Sequence, residues 1–128
     1  MAILADTHLL LWAAGQPKRL PAEARSLIGA PGQQRWFSAA SLWEIAIKHA
    51  LGRAGFRVDP RRLRRGLLDN DWRELAISSA HAVATVALPP IHKDPFDRML
   101  LAQAQVEGFT LLTSDAAVAR YGEPARNV

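Results

Sequence analysis

Apolar positions along this chain change their period several times. Short runs with strand character fall at Ala2 to Ala5, Arg35 to Ser38, Glu74 to Ile77 and Phe109 to Thr113. Between them the apolar spacing lengthens to three and four residues. That spacing predicts helices over Thr7 to Ala14, Ala22 to Ile28, Ser41 to Leu51, Pro60 to Leu68, Ser79 to Ala87, Pro95 to Glu107 and Ala116 to Arg120. Strands separated by helices need crossover connections, so the expected fold class is α/β, with a central mainly parallel sheet and helices on both faces. All eight prolines lie at proposed boundaries, where the missing N–H and fixed φ do least harm. No repeat, low-complexity tract or long linker divides residues 1–128, which are read as a single domain.

Composition narrows the classes. At 49% apolar residues the chain can build one core. It has no cysteine, which excludes disulfide frameworks and thiolate metal sites. No signal-like segment and no apolar run of membrane-spanning length is present, so a soluble, cytoplasmic protein without membrane association is expected. Sixteen Lys and Arg against twelve Asp and Glu leave a formal charge of +4, which favours acidic partners. Five arginines, Arg57, Arg61, Arg62, Arg64 and Arg65, crowd into RVDPRRLRR. They form either a solvated helix face or a contact for phosphates or an acidic partner segment.

Candidate chemistry begins at the stretch AILADTHLLLW, where a carboxylate interrupts apolar sequence. Ligands of parallel sheets bind outside the carboxyl ends of the strands, and Asp6 leaves the first strand at that edge. FTLLTSD repeats the pattern and brings Asp115 to the same edge. Capping of the following helix is the alternative role for either acid. Glu44 sits in SLWEIAIKHAL, on a narrow polar stripe with Ser41 and Lys48 amid apolar neighbours. In HKDPFDRMLLAQA, Asp94 before Pro95 reads as an N-cap, whereas Asp97 shares a face with Leu100, Leu101 and Ala104 that should turn toward the sheet.

If Asp6, Glu44, Asp97 and Asp115 converge, they repel one another unless a cation compensates them. With oxygen ligands, no cysteine and no histidines paired at ligand spacing, the fitting metal is hard, Mg²⁺ or Mn²⁺. With those four set aside, eight acids remain against sixteen bases, a balance of +8 around an acidic pocket. A phosphodiester substrate suits that arrangement.

The motifs ILADTHLLLW, SLWEIAIK, HKDPFDRMLLAQA and LLTSD, in this order and spacing, resemble the PIN domain, and specifically the VapC-like ribonuclease toxins of bacterial toxin–antitoxin pairs. The resemblance covers nearly the whole chain. It implies an α/β/α sandwich, a magnesium- or manganese-dependent endoribonuclease, a homodimer, and inhibition by a cognate antitoxin whose tail enters the active-site groove. It further implies that Asp6, Glu44 and Asp97 are the three principal acids, Asp115 the fourth, and Thr113 a hydroxyl that supports the cluster. His8 departs from the Asn or Ser of many relatives. The final strand is expected to be short, Arg126 to Val128. Metal-assisted hydrolysis leaving a 5′-phosphate is the expected reaction on RNA. A rival from another class is a non-catalytic RNA- or partner-binding module. An aspartate-nucleophile phosphatase is disfavoured because His8 stands where its second acid belongs.

Overall fold

A computed structural model describes all residues, 1–128. Five strands, β1 (Ala2–Ala5), β2 (Gln34–Ser38), β3 (Arg73–Leu75), β4 (Thr110–Thr113) and β5 (Ala125–Asn127), form one sheet in the order β3-β2-β1-β4-β5. Every pairing is parallel. Seven helices connect them: α1 (Thr7–Gly15), α2 (Ala22–Ile28), α3 (Ala39–Ala50), α4 (Pro60–Asp69), α5 (Ser79–Ala84), α6 (Pro95–Glu107) and α7 (Ala116–Ala119). Pro17–Arg19 and Thr85–Ala87 add single 3-10 turns.

Alternation along β1 divides the core. Ile3 and Ala5 face one side, where they join Leu9 and Leu10 of α1, Ala24 of α2, Ile45 of α3 and Leu63 and Leu67 of α4. Leu4 faces the other, against Leu100, Leu101 and Ala104 of α6 and Val118 of α7. Because both faces of β1 are covered, AILA carries no polar residue. No helix is long and apolar enough to cross a membrane.

Local chemistry sets the helix ends. Ser38 starts α3 earlier than the apolar spacing predicts, because its Oγ accepts from Ala40 N at 3.0 Å. The same hydroxyl donates to Oε1 of the fully buried Gln103 on α6, which ties the start of α3 to α6. β3 ends at Leu75, two residues before the expected limit, and β5 starts one residue early at Ala125. Short edge strands leave few ladder bonds to mark their ends, so the apolar pattern alone misplaces them. At the other end of α6, Gly108 adopts φ 72°, the left-handed conformation that closes the helix. No atom would crowd a Cβ there, so Gly108→Ala tests the backbone alone. We expect a loss of about 1 kcal/mol in urea unfolding, with a smaller loss for Gly108→Asn.

Candidate functional site

Register brings the first elements of the site together. Ala5 lies opposite Leu112 in the β1–β4 pair, and Asp6 N donates to Leu112 O at 3.0 Å, so Asp6 and Thr113 emerge side by side. Asp6 is 4% exposed and uses its two oxygens differently. Oδ1 accepts from Leu9 N at 2.9 Å as the N-cap of α1, and Oδ2 accepts from Thr113 Oγ1 at 2.7 Å. Capping and site roles therefore coexist in one carboxylate. Thr113 Oγ1 also accepts from Asp115 N at 3.0 Å, and Asp115 caps α7 through Ala117 N at 2.8 Å. Asp115 is exposed, beside the buried pair.

The next residue along carries the connection to α3. Thr7 Oγ1 donates to Glu44 Oε1 at 2.7 Å and lies 3.1 Å from Ser41 Oγ. Glu44 is 4% exposed, and its second oxygen pairs with Lys48 one helical turn on. The favourable Glu-before-Lys order is thus realised in a buried wall rather than on a free surface. Two tryptophans differ in placement: Trp72 is 7% exposed, but Trp43 is 61% exposed, with its ring edge-on to Phe96. Ala40, Ser41, Glu44 and Ile45 make up the buried face of α3, and Trp43 lies off it.

Asp97 enters from α6, in the first turn after the Asp94 cap. Asp94 Oδ1 accepts from Phe96 N at 2.8 Å and Asp97 N at 3.1 Å, the capping role expected of it. Asp97 Oδ2 pairs with His92 Nε2 at 2.8 Å. Tyr121 holds this loop, its hydroxyl accepting from His92 N at 2.9 Å and from Arg98 Nη1 at 3.0 Å. His92, Asp94 and Asp97 present ligand atoms within 4.8 Å of one another. Asp6, Glu44, Asp97 and Asp115 do not all come within that distance of one another. His92, Thr7 and Ser41 join the acids and Thr113 as partners in the site. Only Ser41 carried a signal, its helical spacing to Glu44.

Electrostatics unites what direct contact does not. Burial pushes the Asp6 carboxyl above its ordinary range, against the opposing pull of Leu9 N–H, the Thr113 hydroxyl and His8. Asp97 is pushed up to about 6, chiefly by burial, and then by the negative charges of Asp94 and Glu44, while His92 pulls it down. Asp97 and Glu44 are therefore close enough to repel. Buried carboxylates raised in this way are the groups that a cation would relieve, and their hard oxygen donors fit Mg²⁺ or Mn²⁺. Asp6, Glu44 and Asp97, with Asp115 at the rim, could hold such an ion.

Comparison with known proteins fits this architecture. Residues 3–124 match the PIN domain family, and the chain belongs to that family. Its fold is similar to that of a chain in the structure of VapBC2 from Rickettsia felis bound to a DNA fragment from their promoter, with a TM-score of 0.72 at 13% identity over 100% of this chain and 99% of the other. VapBC-1 from nontypeable Haemophilus influenzae gives 0.68 at 15%, over 99% and 98%. A toxin–antitoxin complex from Klebsiella pneumoniae gives 0.64 at 20%, over 98% and 96%. No curated protein matched in sequence.

Proposed function

We propose that this PIN domain is a Mg²⁺- or Mn²⁺-dependent endoribonuclease, the toxin of a toxin–antitoxin pair, with Asp6, Glu44, Asp97 and Asp115 as its catalytic and metal-holding acids. The observation that carries the reading is the approach of three carboxylates at the carboxyl edge of the sheet: buried Asp6 after β1, buried Glu44 of α3, held by the Thr7 hydroxyl next to Asp6, and half-buried Asp97 of α6, which Glu44 repels, with Asp6 and Asp97 raised above their ordinary range. A bound divalent cation supplies positive charge at a scissile phosphate and acidifies water. The chain's own residues do the rest. Thr113 and Leu9 N–H fix both oxygens of Asp6, Thr7 fixes Glu44, and His92 aims Asp97. Lys48, paired with Glu44, places a cation beside the acids for the RNA backbone. Incubating structured RNAs with Mg²⁺, Mn²⁺ or EDTA tests the reading. Metal-dependent cuts that leave 5′-phosphates support it, whereas RNA that is bound but never cut points to a binding module.

Partners follow the same reading. One solved structure with this fold is a toxin–antitoxin complex, and this chain has a cleft with the chemistry to take a partner segment. A cleft of about 590 Å³ between α1, α2 and α4 has an apolar floor that includes Leu20, Leu63, Leu67 and Trp72, and it is edged by Arg25, Arg35 and Arg62. We expect an amphipathic, acidic segment of the antitoxin there. Of the arginine run, Arg64 is already committed to Glu74, at 2.8 and 3.1 Å, while Arg61, Arg62 and Arg65 are exposed and unpaired. Charge reversal at those three is expected to weaken antitoxin binding about tenfold or more, read by calorimetry at low salt. Trp43 and Ile47 of α3 and Leu51 at its C-cap form an exposed apolar stripe, suited to a second copy in a homodimer.

A further inference from the structure

A second cleft, of about 630 Å³, lies beside the acids and is used by nothing described above. Its lining includes His8, Trp12, Arg19, Phe56 and Arg57, and no acid. The rings are grouped: His8 lies 6.1 Å from Trp12 and 5.9 Å from Phe56 between centroids. The Arg19 guanidinium sits 5.1 Å over Trp12. Direct contacts lead from this cleft to the carboxylates, since Lys48 lies 4.8 Å over the Phe56 ring and pairs with Glu44, and His8 follows Asp6 by two residues.

The cleft is built rather than incidental. Arg19 is carried by the 3-10 turn after α1, and its Nη1 donates to Gln16 Oε1 at 3.2 Å. Phe56 is 8% exposed at the end of a loop that turns through Gly52 and Gly55, both at positive φ. His49 Nδ1 lies 2.9 Å from Phe56 O, and Phe56 N donates to Arg53 O, which holds the ring in the cleft. Aromatic faces interleaved with arginines, without acids, match the chemistry of an unpaired nucleotide: bases stack on rings and guanidinium planes while cations hold phosphates.

The geometry points to a nucleotide subsite in which His8, Trp12 and Arg19 stack an unpaired RNA base next to the phosphate to be cut, with Arg57 on the backbone. This rests on the nuclease reading and adds to it a preference for single-stranded RNA. Trp12 and Phe56 reach the core, so the test uses the exposed residues His8 and Arg19. A fluorescent single-stranded oligoribonucleotide and an abasic sugar-phosphate chain of equal length are titrated, in EDTA, against wild type, His8→Ala and Arg19→Gln. The expected result is an RNA Kd about ten- to a hundredfold weaker in the variants with little change for the abasic chain. Equal losses on both chains would reduce the cleft to charge alone and overturn the stacking subsite. Unchanged RNA binding would overturn it too, including where the same variants lose antitoxin, which would make the cleft a protein-docking surface. The binding arms need no cleavage. A base-dependent loss in a protein that cuts nothing would keep the subsite and reject the nuclease.

Discussion

Asp6→Asn is expected to lower metal-dependent RNA cleavage by about a hundred- to a thousandfold while leaving the fold intact. The two halves of this expectation come from the two oxygens of one side chain. As an N-cap, asparagine serves as well as aspartate, so the amide can still accept from Leu9 N and α1 keeps its start. At the other oxygen the change is chemical: an amide beside Thr113 Oγ1 carries no negative charge for a cation. Loss of one element of charge stabilisation at a reacting centre typically costs about 10² to 10³ in rate. Thr113→Val, which leaves the carboxylate and removes only the hydroxyl that orients it, should cost about ten- to a hundredfold. Initial rates on one cleavable RNA, with circular dichroism and urea midpoints alongside, measure both. Equal activity of Asp6→Asn and wild type would remove Asp6 from the proposed site.

Asp97→Asn is expected to stabilise the metal-free protein at neutral pH, by about 1–3 kcal/mol, at the expense of function. The Asp97 carboxyl is raised from 3.8 to about 6, so between those values the folded state binds more protons than the unfolded one. Stability therefore declines as pH rises through that window, and above about 6 the charged carboxylate disfavours the fold fully. Asparagine removes this cost and can still accept from His92 Nε2. Urea unfolding in EDTA should show the gain at pH 7 and little of it near pH 4. A divalent cation should reverse the order, raising the wild-type melting temperature and not the variant's, because it binds only the folded acids. A variant that is less stable than wild type at pH 7 in EDTA would mean that hydrogen bonds to Asp97 outweigh its burial.

Most of the fold was legible because the strands and helices of a parallel sheet differ in period, and prolines mark the joints. β1 and α6 fall where the apolar spacing places them. What eluded the pattern was the ends of elements, which hydrogen bonding rather than apolarity sets. α3 begins at Ala39 because Ser38 caps it, and β3 stops at Leu75, short of the apolar Ile77. In the site, Asp6 and Asp115 were readable as carboxylates leaving strand ends, and Thr113 came from the likeness of LLTSD to the family's motif. His92 was not readable, since it approaches Asp97 through an irregular Lys93–Asp94 loop whose direction no spacing records. The exposure of Trp43 was not readable either, since hydrophobicity alone does not say which way a residue on an almost wholly apolar helix points.

The central claim, that these acids hold a divalent cation, is tested most directly by calorimetric titration of Mn²⁺ into the protein at several pH values, with Asp97→Ala alongside. The account predicts saturable binding that weakens in the variant. It also predicts that affinity rises between pH 5 and 7, with protons released on binding, as a carboxyl raised to about 6 gives up its hydrogen to the metal. No saturable binding at millimolar Mn²⁺ by the folded protein, or binding equal in strength in Asp97→Ala, would contradict it.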